Sequence, residues 1–93
     1  MMNLKNIPEH MHDAITRYVM DGIHPGSFLK AILTNDLKEA YIQADDINRK
    51  RIEDWTFFVI WEVPESCQGS EFRFNTWMRR GGLNGIRKEE DTI

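Results

Sequence analysis

The sequence predicts an all-α protein, a compact single-domain bundle of about five short to medium helices, on three grounds. Apolar side chains recur at three- and four-residue spacing through most of the chain. Prolines, glycines and short capping residues cut that pattern into segments of a few turns each. A length of 93 residues with 41% hydrophobic content is enough for a single core.

In "IPEHMHDAITRYVMDG" (7–22), Pro8 suits a first helical turn, Glu9 favours the positive end of the helix dipole, and Gly22 stops the helix. Met11, Ala14, Ile15, Tyr18 and Val19 make one apolar face. Pro25 then biases His24 away from helical geometry. Gly26 supplies a turn, and Gly26 or Ser27 caps a two-turn helix carrying Phe28, Leu29, Ile32 and Leu33. Thr34, Asn35 and Asp36 favour caps over helix interiors, so a kink or a turn falls there. "DLKEAYIQAD" (36–45) resumes with Leu37, Ala40, Tyr41 and Ala44 on one face.

Asp45 or Asp46 caps a longer helix, "DINRKRIEDWTFFVIWEV" (46–63), closed by Pro64, with Ile52, Trp55, Thr56 and Val59 as its first stripe. "TFFVIW" (56–61) is apolar all round. As a helix it would lie centrally or at an interface, and a buried strand is the alternative. Ser70 caps a last helix, "EFRFNTWMRR" (71–80), ended by Gly81 and Gly82. Residues 7–80 are thus expected to form the helical domain, and 81–93, charged and glycine-containing, a mobile tail.

Net charge is -3, with 12 Lys and Arg against 15 Asp and Glu, so duplex DNA is a disfavoured partner. A small DNA-binding regulator with "RRGGLNGIRK" (79–88) as its basic tail is the third choice. No stretch approaches the roughly 20 apolar residues of a membrane span, and "MMNLKNIPEHMHDAI" is no signal peptide. With Cys67 as the single cysteine, a cytoplasmic setting without disulfides is expected. A core this small also makes a homo-oligomer the expectation.

Catalytic chemistry finds no purchase. His10 and His12 are two residues apart, where metal ligands on a helix need three or four, so His10, His12, His24, Asp13 and Asp21 read as surface groups and no metal site is expected. A Cys67–His24 dyad would need a contact that nothing in the sequence implies. No enzyme and no cofactor are expected.

Binding is the better reading. The Gly26–Ser27 turn opens a helix whose first amides are free for an anion; a second such start is "QGSEF" (68–72). Lys30, Asn35, Asp36, Asn48 and Arg49 add polar and cationic side chains, so Gly26, Ser27, Lys30, Asn35, Asp36, Asn48 and Arg49 are the candidate ligand-binding set. The rival reading of Arg49, Lys50 and Arg51 among Asp45, Asp46, Glu53 and Asp54 is a solvated, ion-paired face. Aromatics make up 11% of the chain, and one left at a rim would stack on a base.

"IPEH", "GIHPGSFLKAILTNDLKEA", "ADDIN", "VP" and "CQGS" before "TWM", over residues 7–78, together resemble a family of small bacteriophage and prophage proteins with a G-I-x-P-G-S-F-L…N-D-L motif. The chain departs from it at His24 and Gln68, where that family carries proline and tryptophan. The resemblance implies a phage accessory protein, acting in host takeover or counter-defence within the bacterial cytoplasm. It would bind and sequester a small anionic nucleotide-like ligand or, alternatively, inhibit or redirect a host protein.

Overall fold

Helix boundaries follow the breakers and caps closely. The computed structural model describes residues 2–91, all helices, turns and loops. A short 3-10 turn, Glu9–Met11, leads into α1 (His12–Asp21). Then come α2 (Ser27–Leu33), α3 (Leu37–Gln43), α4 (Asp46–Arg49), α5 (Ile52–Glu62), a 3-10 turn at Glu65–Cys67, α6 (Glu71–Arg80) and α7 (Gly82–Asp91). The all-α expectation holds, with seven α-helices among the described residues where about five were expected. "TFFVIW" is helical.

The additional helices have local causes. After α2, Thr34 closes the helix and Asn35 takes left-handed geometry at φ 63°. The Asp36 amide donates to Ala31 O at 2.8 Å and the Asn35 amide to Ile32 O at 3.4 Å, the paired bonds of a Schellman stop. Asp36 Oδ1 then accepts the Glu39 amide at 3.1 Å and starts α3. Residues 34–36 are therefore a true turn. The expected 46–63 helix is likewise interrupted at Lys50 and Arg51, where the Arg51 amide turns back to Asn48 O at 3.0 Å. Arg51 is held there by Asp54 Oδ2 at 2.5 Å and by Asn6 O.

The core gathers Ile15, Tyr18 and Val19 of α1, Phe28, Leu29, Ile32 and Leu33 of α2, Ile52, Trp55, Phe58 and Val59 of α5, and Phe74 and Trp77 of α6. Tyr18 stacks on Phe74 at 5.1 Å, while Trp55 meets Phe28 and Phe58 edge-on at 5.7 and 5.8 Å. Several buried polar atoms are paired between elements. Trp77 Nε1 donates to Tyr18 O at 2.9 Å, and the Tyr18 hydroxyl to Cys67 O at 2.6 Å. Gln68 Nε2 donates to Val59 O at 2.6 Å and Val63 O at 3.1 Å, closing the C-terminal end of α5.

Residues 82–91, expected to be a mobile tail, form α7 packed along α1; Thr92 and Ile93 of that expectation lie outside the described residues. Leu83 and Ile86 pack against the core. Their approach depends on paired glycines, because a Cβ on Gly82 would lie 2.6 Å from Gly22 N and 2.7 Å from Asp21 N. Asn84 Nδ2 also donates to Asp21 Oδ1 at 2.8 Å, and Arg80 pairs with Glu89 at 2.8 Å. The glycines that read as flexibility serve backbone-to-backbone packing.

Candidate functional site

Two neighbouring depressions border α3, and they differ in chemistry. The polar one, about 440 Å³, lies between α2, α3 and the start of α6, lined by Ser27, Lys30, Thr34, Asp36, Glu39, Gln43 and Glu71 with Ala31 at its base. Of the seven candidate residues, Ser27, Lys30 and Asp36 meet here. Gly26 precedes them at φ 99°, and its amide is taken by His24 Nδ1 at 3.0 Å. Regular hydrogen bonding of α2 begins at the Lys30 amide, which donates to Gly26 O at 2.9 Å.

The charges around this groove weigh against a bare anion. Lys30 Nζ is 3.7 Å from Glu71 Oε1, and Asp36 and Glu39 add two further carboxylates to the wall. Like charge at such range raises the free energy of a phosphate, and the one ammonium already has a counter-ion.

The other candidates serve the fold. Asn35 donates from Nδ2 to Gly69 O at 3.2 Å, tying the α2–α3 turn to the loop before α6. Asn48 is 2% exposed; its Oδ1 accepts from Trp55 Nε1 at 3.0 Å and its amide donates to Asp45 Oδ1 at 2.7 Å. Arg49 bonds Asp46 Oδ1 at 3.1 Å and Ala44 O at 2.8 Å. Neither Asn48 nor Arg49 lines the polar groove.

The second depression, about 220 Å³, runs between α3 and α5 and is largely apolar. Ala31, Ile32 and Val59 contribute to it, with Leu37 from α3 and Thr56 and Ile60 from α5. Two of its lining side chains are exposed where the sequence pattern expects burial, Leu37 at 60% and Ile60 at 59%; Tyr41, one turn on from Leu37 in α3, is also open. Farther round α5, Phe57 and Trp61 are 62% and 68% exposed with their rings 6.2 Å apart. One side of α5 thus makes core through Ile52, Trp55, Phe58 and Val59, while the other offers Phe57, Ile60 and Trp61 to the surroundings. The signal for this was the all-round apolar "TFFVIW". Leu37 and Tyr41 were missed because the seven-residue α3 buries only Ala40.

Comparison with protein families, with curated proteins and with solved structures finds no match to this chain. Function must therefore be argued from the surface itself.

The remaining reactive groups are held in the fold. Cys67 is buried, donates to Pro64 O at 3.1 Å, and its thiol is pushed up to about 12 by desolvation. The Tyr18 hydroxyl is likewise raised, first by burial and then by Cys67. His24 uses Nδ1 on the Gly26 amide and packs edge-on to Phe74 at 5.5 Å. Among the described residues, no group of three or more His, Cys, Asp or Glu is placed to hold a metal ion, and no helix is long and apolar enough to cross a membrane.

Proposed function

We propose that this protein acts by binding another protein, without catalysis, and that the docking surface is the α3–α5 face of Leu37, Tyr41, Phe57, Ile60 and Trp61. The observation that carries this reading is the outward side of α5, where three large apolar side chains stand open on a helix whose other side is core. Large apolar side chains exposed together on one face, rather than scattered singly, mark interaction sites. Aromatic side chains such as Trp61 dominate the energetics of such interfaces. The resemblance to phage accessory proteins makes a bacterial host protein, inhibited or redirected by docking, the expected partner class.

The test is affinity capture from a bacterial lysate with the full chain as bait. One host protein retained stoichiometrically by the wild type and lost with Trp61→Ala supports the reading; equal retention by both proteins removes it. A second copy competes for the same face, and sedimentation at micromolar concentration separates the two: a homo-oligomer dissociated by Trp61→Ala would assign the face to self-association.

A second reading, sequestration of a small nucleotide-like ligand, is favoured by the size of the α2–α3 groove and the presence there of Ser27, Lys30 and Asp36. Its carboxylates call for a ligand that brings its own cation. Calorimetry with ADP is expected to show an additional binding event when magnesium is supplied, lost in Lys30→Ala; no added heat on supplying magnesium contradicts it.

A further inference from the structure

The outward side of α6 carries chemistry that neither reading uses. Phe72, Thr76 and Arg80 succeed one another at four-residue spacing and so share one side of the helix, with Arg73 alongside. Phe72 is 74% exposed. These four side chains, with Glu65 and Ser66, line an open depression of about 660 Å³.

Its cations are positioned yet still available. Arg73 Nη1 donates to Glu65 O at 3.2 Å and to Gln68 O at 3.5 Å, which steadies the guanidinium at one nitrogen and leaves the others for a ligand. Arg80 meets Glu89 at 2.8 Å with both side chains about half exposed, a pair of the kind that contributes little and can be exchanged for a phosphate. Thr76 Oγ1 is sealed from solvent and has no hydrogen-bond partner, the only such side-chain atom recorded among the described residues.

We propose that this face binds a nucleotide, its base stacked on Phe72 and its phosphates held by Arg73 and Arg80. A flat π face and an anion in one ligand are what the combination demands. An apolar partner would bury the Arg73 guanidinium with only backbone carbonyls beside it and no counter-charge, at a cost of several kcal/mol. An acidic group without a ring would leave Phe72 idle. A free mononucleotide and a single-stranded oligonucleotide share this chemistry.

Calorimetry on the full chain, purified free of small molecules, tests the proposal with ADP, ribose 5-phosphate and a short thymidine oligonucleotide. ADP is expected to bind without magnesium and more tightly than ribose 5-phosphate. Affinity for ADP should fall roughly tenfold in Phe72→Ala and also fall in Arg73→Gln, with both variants retaining the wild-type circular dichroism and melting temperature. Lys30→Ala and Trp61→Ala should leave it unchanged. Oligonucleotide binding that exceeds ADP binding and weakens steeply with salt would assign the site to a polymer strand. Absence of binding by both at millimolar concentration overturns the proposal, as does affinity indifferent to Phe72→Ala. Loss of ADP binding in Lys30→Ala alone would place the ligand in the α2–α3 groove instead.

Discussion

Asn48 shows how much a single buried amide can hold. Its Oδ1 is the acceptor for Trp55 Nε1 inside the core, so Asn48→Ala strands an indole donor and should cost about 1–3 kcal/mol in urea unfolding; a loss under ~0.5 kcal/mol would mean that the bond is dispensable. Asp45 sits beside it, accepting the Asn48 amide at 2.7 Å and His10 Nε2 at 2.9 Å. The amide first, then His10, hold its carboxyl below the ordinary value. A carboxyl depressed by folding contributes stability above its unfolded pKa of about 3.9 and loses it as pH falls through the folded value. Asp45→Ala should therefore destabilise the protein at neutral pH, with the difference from wild type shrinking below about pH 4. A difference independent of pH would contradict the pairing. Cys67 has the opposite sign: its thiol is raised to about 12, so its effect appears only above the unfolded value of about 8.5, where rising pH favours unfolding. Native protein at pH 8 should resist thiol-labelling reagents until denaturant is added, and rapid native labelling would refute the burial.

Among the helices, the junction most exposed to a one-atom change is that of α1 with α7. Gly82 has φ 68°, and an added Cβ would strike the backbone of Asp21 and Gly22. Gly82→Ala should release α7 from α1 at a cost of about 1–3 kcal/mol, read as faster hydrogen exchange in residues 82–91 with α2 and α5 unchanged. Unaltered exchange across α7 would show that the glycine contact is not required. The same junction marks the boundary of what the chain's pattern discloses. Helix starts at Ser70 and Asp36 were legible because capping is local chemistry, involving a side chain and an amide three residues away. The docking of α7 depends on Gly22 and Gly82, far apart in the chain, and no periodicity encodes that meeting. The break at Lys50–Arg51 was hidden for the same reason, since Arg51 is drawn to Asn6 O across the fold. At the candidate site, Ser27, Lys30 and Asp36 converge because a tight turn folds α3 back on α2. Asn48 and Arg49 do not join them, because α4 directs them to Trp55 and to Ala44 and Asp46.

For the protein as an assembly of surfaces, the division of α5 matters most. A radius of gyration of 13.0 Å is about that of an ordinary 100-residue domain, so the open apolar side chains are not a symptom of an unfolded core. Phe57, Ile60 and Trp61 occupy the side of α5 that the core does not need, and Leu37 continues that surface across the apolar depression. Removing Trp61 should accordingly abolish docking without loss of stability, since its side chain is mostly exposed. Unfolding of Trp61→Ala with a midpoint close to that of wild type, beside a large loss of partner affinity, is the expected pair of results; a destabilised variant would make Trp61 a core residue. The most direct measurement is hydrogen exchange on the protein alone and saturated with whichever protein the affinity capture retains. Protection concentrated in residues 37–43 and 56–62 is predicted, and protection confined to α6 or α7, with those two segments unchanged, would contradict it.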